Sequence, residues 1–266
     1  MDDMKLNIIN FIYKDLVDFY GPQGWWPLSG LNRPVNENDR DWCNYVEFLD
    51  TNAGEEDFKV NWPRHLGILP HNTNQKFEII TGSILTQNTS WRNVERSLYN
   101  LNKNNINSIY KIKEINLEKL SLLIKNSGFH NQKAQNLKLL ADYFICNENL
   151  EELFKKKKEE LRKEFLSLKG IGNETADSIM LYSAEKPLFV IDAYTKRIFS
   201  RILGINENKY DYWQERFMES FSVNDDRLSI FKEYHSLIVR HGKELCRTVP
   251  LCKNCFLKMK CDYGKK

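Results

Sequence analysis

Four cysteines crowd the end of the sequence. Cys246, Cys252, Cys255 and Cys261 are spaced C-x5-C-x2-C-x5-C within 16 residues. Four thiolates so close in sequence can surround one metal centre, either a zinc ion or an iron–sulfur cluster. The spacing alone leaves both open. Arg247, Lys253, Lys258 and Lys260 interleave the four, and a rigid loop carrying such cations suits phosphate contacts. A second group lies in LKGIGNETAD, residues 168–177. Gly170 and Gly172 allow backbone conformations closed to other residues. Bare amides at the start of the next helix make an anion site. Asp192 then follows the apolar run Leu188–Ile191 at the head of another helical segment. An aspartate there can cap the helix while presenting its carboxylate to a cleft, where it stabilises positive charge or takes a proton.

The elements that must position these groups are helical. Phe77, Ile80, Ile84 and Leu85 line one face, and Val94, Leu98 and Leu101 another. Leu137, Leu140, Ala141 and Phe144 repeat the pattern, as do Leu150, Leu153, Leu161 and Phe165. KNSG at 125–128 and LKGIG read as turns. No series of alternating strands is found, so the fold class is all-α. Residues 29–76, with Pro34, Pro63 and Pro70, read as a long irregular excursion with a short helix at 39–49. KKKK at 155–158 reads as the solvated face of a helix with flanking glutamates.

The 266 residues are 41% hydrophobic and 28% charged, with a mean hydropathy of −0.57, which suits a soluble globular chain of one large or two smaller domains. Residues 1–79 carry a net charge of −6 and residues 236–266 a net +6. This asymmetry points to a polyanionic partner for the C-terminal end. MDDMKLNIIN lacks the charge-then-apolar pattern of a secretory leader, and no 18-residue apolar stretch occurs, so a cytoplasmic protein with no membrane span is expected. Clustered cysteines in such a chain fit a metal centre better than a disulfide scaffold.

Taken together, residues 77–261 resemble the helix–hairpin–helix DNA glycosylases of the endonuclease III superfamily. ILTQNTSWRNV (84–94) looks like the family's glutamine-bearing segment, SGFHNQKAQNL (127–137) like its G-x-x-x-x-K-A element, and LKGIGNETAD like its hairpin. Asp192 falls 18 residues after Glu174, the family's spacing from hairpin lysine to aspartate. RHGKELC (240–246) resembles the lead into the family's iron–sulfur loop, although five residues rather than the usual six separate the first two cysteines. The resemblance favours a [4Fe–4S] cluster over zinc. It implies a six-helix barrel over 80–186, its hairpin at about 161–182, and a second helical domain from 1–79 and 187–266 carrying the cluster. The partner it implies is double-stranded DNA with a damaged or mispaired base, bound by a monomer. Asp192 would be the catalytic carboxylate, and Gln87, Gly170, Gly172, Asn173, Thr175 and Lys253 would meet DNA.

Glu174 stands where bifunctional relatives keep a nucleophilic lysine. A carboxylate forms no Schiff base, so base release without strand cleavage is expected. Adenine-excising relatives carry an acid five residues before the matched glutamine; here that residue is Gly82. An alkylated purine such as 3-methyladenine is already cationic and needs no such acid. GIGNETAD and YGPQGWWPL (20–28) also resemble the 3-methyladenine glycosylase branch; Trp25 and Trp26 read as core packing. The rival substrates are uracil or thymine opposite guanine, then adenine or an oxidised purine. The rival class is a DNA-binding module without catalysis.

Overall fold

The computed structural model describes residues 3–26, 28, 70, 72–147, 149–223 and 226–265. Every regular element among them is helical. The expected helix at 39–49 and most of the irregular excursion lie outside the described residues. Among the described residues no helix is long and apolar enough to cross a membrane.

Two compact units divide the chain, with one break between Ile171 and Gly172. The unit ending at Ile171 contains α2 (Thr73–Leu85), α3 (Trp91–Lys103), α4 (Ile109–Glu114), α5 (Leu117–Leu123), α6 (His130–Cys146), α7 (Leu150–Leu153) and α8 (Lys158–Ser167). Four of these seven helices begin at polar caps: Asn72, Ser108, Asn116 and Asn149 each accept a first-turn amide. α6 packs against α2, α4 and α5. The apolar positions read from the sequence are all buried, from Phe77 to Phe165. α2 starts at Thr73, so the last residues of the stretch read as irregular are helical.

The lysine run is not helical throughout. A turn between α7 and α8 holds 154–157, and only Lys158 belongs to a helix. Stacked like charges disfavour a continuous helix there. Lys155 instead pairs with Glu152 at 2.6 Å and Lys156 with Glu164 at 2.9 Å.

The other unit combines α1 (Asp3–Tyr20) with α9 (Asn173–Ser178), a π-helical turn (Ile179–Ser183), α10 (Ala193–Leu203), α11 (Tyr210–Ser220) and α12 (Arg227–Glu244). α1 packs on α11 and α12, and α10 packs on α12. Ile9, Ile12 and Leu16 turn one face of α1 into an aromatic core. In that core Phe189 stacks on Phe217 at 4.1 Å, and the Tyr234 hydroxyl donates to Ile9 O at 2.7 Å.

α10 is fastened at both ends. Asp192 caps its start. At its end the amides of Asp262 and Tyr263 donate to Ile202 O and Arg201 O, two carbonyls the last turn would otherwise leave open. Arg197 donates to Gly242 O and Cys246 O, and Arg201 to Arg247 O and Thr248 O. The cysteine loop is thus laced to the same helix that carries Asp192.

Candidate active site

Asp192 is buried at 7% exposure. Its Oδ1 accepts from Thr195 N at 2.7 Å and from Thr195 Oγ1 at 2.8 Å, an N-cap closed within one turn. The preceding run Leu188–Ile191 is buried and held from α11. Gln214 donates to Phe189 O and to Asp177 Oδ2, while Tyr210 accepts from Ile191 N and donates to Asp177. Burial pushes the Asp192 carboxyl up, but facing His235 and accepting from Thr195 outweigh this, and it sits below its ordinary range. Asp192 is therefore ionised at neutral pH.

Glu174, in the first turn of α9, is close enough for its charge to act on Asp192. Surrounding protein, then the charge of Asp192, push its carboxyl up to about 7, although its side chain remains solvent-exposed and screening tempers the coupling. A raised acid favours folding while protonated, so that contribution fades as pH climbs from about 4.5 towards 7. The two carboxyls are thus pushed in opposite directions, Asp192 below its ordinary range and Glu174 above it. Positive charge developing nearby is better stabilised once both are ionised. Single-turnover base release is expected to step up as pH passes about 7, and Glu174→Gln should remove the step. An unchanged step in that variant would assign it to another group.

Two side chains not singled out from the sequence join this group. His235 and Tyr182 lie beside Asp192, with His235 Nε2 3.6 Å from Asp192 Oδ2 and His235 Nδ1 2.6 Å from the Tyr182 hydroxyl. Trp25 stacks on His235 at 5.8 Å and 14°. Glu233 carboxylate oxygens accept from the amides of Gln23 and Gly24 and so fix the loop that carries Trp25. The signal was present: His235 lies on the buried stripe of Phe231, Tyr234 and Ile238 in α12. A histidine in that register usually signals packing, which is why its spacing alone did not mark it.

In the unit that ends at Ile171, Gln87 donates from Nε2 to Gly170 O at 2.9 Å. Gly170 has φ +86°, and a Cβ there would meet Asn136 Nδ2 at 2.2 Å, so this position requires glycine. Gly172 does not, since it has ordinary extended backbone with open space around it. Its missing side chain leaves the start of α9 uncovered instead. Asn173 is half-buried and Thr175 buried. Gly82 is explained by contact: a Cβ would meet Trp26 at 2.8 Å. Trp26 is itself buried against Trp91 at 5.0 Å. The indole occupies the space an acidic side chain at Gly82 would need.

Lys133 is 2% exposed, and its Nζ donates to Leu85 O, Gln87 O and Ser127 O at 2.7–2.8 Å. Burial lowers its pKa to about 8, which leaves it charged at neutral pH. It ties the Gln87 loop to the 125–128 turn. Next to that turn Phe129 is 73% exposed and left-handed at φ 44°, an unusual place for a bulky residue.

The four C-terminal cysteines carry no disulfide and line one cavity with Arg201 and His241. Arg201 Nη1 donates to Cys246 Sγ at 3.3 Å, and His241 Nε2 lies 3.7 Å from Cys255 Sγ. Burial, then the neighbouring thiols, push Cys255 and Cys261 up, so holding these two as thiolates calls for a compensating cation. Among the described residues no three His, Cys, Asp or Glu side chains converge on a single-ion point. Lys253 is exposed on this loop.

The sequence profile of the HhH-GPD superfamily base excision DNA repair proteins matches residues 81–222. A candidate DNA repair glycosylase from Methanocaldococcus jannaschii is 38% identical over 98% of this chain and 99% of its own length. Endonuclease III from Sulfolobus acidocaldarius is 28% identical over 72% of this chain and 83% of its own. The crystal structure of the 3-methyladenine DNA glycosylase of Helicobacter pylori bound to 1,N6-ethenoadenine superimposes with a TM-score of 0.58 at 28% identity, covering 77% of this chain and 96% of that one. The chain belongs to the HhH-GPD superfamily and is one of its base excision repair DNA glycosylases.

Proposed function

We propose that the protein is a monofunctional glycosylase that releases an alkylated purine such as 3-methyladenine and leaves an abasic site. The observation that carries this reading is a buried, ionised Asp192 beside a glutamate in place of the lyase lysine. The damaged nucleotide leaves the stack, at a cost of a few kcal/mol. Cleavage of its N-glycosidic bond puts oxocarbenium character on the sugar, which the Asp192 carboxylate stabilises while orienting the attacking water. A cationic base departs neutral without a general acid, and Trp26 leaves no room for one at Gly82. Likeness to the H. pylori enzyme supports the same substrate class. Gln87, the hairpin at Gly170–Asn173 and Lys253 are the proposed DNA contacts. Phe129 adds an exposed aromatic of the kind that wedges into a base stack.

The four cysteines fit a [4Fe–4S] cluster. They line one cavity, and Arg201 donates to Cys246 Sγ, where it offsets negative charge. Cys246, Cys252, Cys255 and Cys261 would hold it. When bound, such a cluster cross-links the loop and fixes its cations.

Duplexes carrying 3-methyladenine or uracil, incubated with the protein and split with and without hot alkali, test the reading on a denaturing gel. A band only after alkali, from the 3-methyladenine duplex, is expected. Release of uracil alone would overturn the substrate class. A band without alkali would overturn the monofunctional assignment.

A further inference from the structure

Asp192 commits Oδ1 to Thr195 and leaves Oδ2 turned towards α12. There it meets a histidine whose Nε2 is buried and has no hydrogen-bond partner at normal distance. The protonation of that nitrogen follows from its neighbour. The Tyr182 hydroxyl lies 2.6 Å from Nδ1 and 3.3 Å from Lys232 O, and a phenol has one proton. If it donates to Nδ1, the neutral imidazole carries its proton on Nε2. If it donates elsewhere, Nδ1–H donates to the phenol oxygen, and Nε2 is either bare or protonated. A bare lone pair against an ionised carboxylate is repulsive, so Nε2–H is the arrangement that suits both partners. The π-helical turn sets Tyr182 in register for this contact, and Trp25 stacks on the ring from another side.

We propose that His235, braced by Tyr182 and Trp25, is the positioning residue for Asp192, presenting Nε2–H to Oδ2 and drawing closer as charge develops on the sugar. This rests on Asp192 being the carboxylate of the reaction. The separation of 3.6 Å is just beyond a direct bond, and catalytic hydrogen bonds in unliganded sites commonly tighten on binding. The pairing also opposes Glu174 on α9, whose proximity would otherwise let the two carboxylates share a proton. The other groups facing this cluster are Tyr194 and Lys196 on α10, and Lys232 and Glu233 on α12.

His235→Leu, His235→Gln and Tyr182→Phe test this alongside Asp192→Asn. The readouts are single-turnover release of methylated purine from dimethyl-sulfate-treated duplex between pH 5 and 9, duplex affinity, and thermal melting. His235→Leu should slow release by about 10–100-fold at neutral pH, with affinity within about two-fold of wild type. Its acid limb should move to higher pH. His235→Gln, which keeps an N–H donor, should recover most of the rate and move the limb back towards its wild-type position. Tyr182→Phe should fall between His235→Leu and wild type. If His235→Leu does not fold, the glutamine and phenylalanine variants carry the test. Wild-type rates and profiles in the folded His235 variants, with Asp192→Asn inactive, would overturn the positioning role while sparing the proposed function. Full activity in Asp192→Asn would instead overturn the reading of the site itself.

Discussion

Asp192→Asn is expected to lower single-turnover base release by about 10³-fold or more, close to 4 kcal/mol of transition-state stabilisation. The fold should survive, because asparagine is as good an N-cap as aspartate and its amide oxygen still accepts from Thr195. What is lost is the negative charge facing the developing cation. The amide nitrogen would also meet the His235 Nε2–H donor, turning a favourable pair into two opposed donors. Affinity for abasic duplex should change by no more than about two-fold, since the substitution removes no cation. Release within ten-fold of wild type would mean that another group bears the chemistry.

The largest expected loss of stability lies elsewhere. Lys133→Met keeps the approximate length of the side chain but leaves two buried carbonyls and the part-buried Gln87 O without their donor. Each unsatisfied group costs about 1–3 kcal/mol, offset in part by no longer burying an ammonium, so a net loss of about 2–5 kcal/mol follows. A neutral amine has only two protons for three acceptors, which is why the charged form matches the site. Urea unfolding of the variant measures the loss. The Gln87 loop should loosen with it, because Lys133 is what joins Gln87 O to Ser127 O. A midpoint unchanged from wild type would show that water replaces the ammonium without cost.

These two residues mark how far the sequence could be read. The place of Asp192 as a helix cap was legible because it is set locally, by an apolar run and the start of a helix three residues before Thr195. The same holds for the cysteines and for the helix faces, where period and burial coincide from Phe77 to Phe165. Lys133 was marked as the lysine of the G-x-x-x-x-K-A element but given no role, although it stands in line with Leu137, Leu140 and Phe144 on the buried stripe of α6. A lysine there is readable only when the carbonyls that receive it are known, and they come from 46 and 48 residues away. His235 depends on Tyr182, 53 residues distant. Gly172 was given a conformational need it does not have, because G-x-G looks symmetrical in sequence while only Gly170 takes positive φ. The lysine run was read as helical because flanking periodicity carried through it, whereas charge repulsion and the turn win locally.

The lacing of α10 has a consequence for how the protein matures. The helix has 11 residues, about 16 Å, too short to persist on its own in water. Its far end is pinned by backbone and arginine contacts that exist only when the C-terminal loop has taken its shape. Without that loop the last turns are expected to fray first, while the cap of Asp192 on Thr195 closes within a single turn. The 11-residue helix is thus expected to complete its far turns together with the C-terminal loop rather than ahead of it.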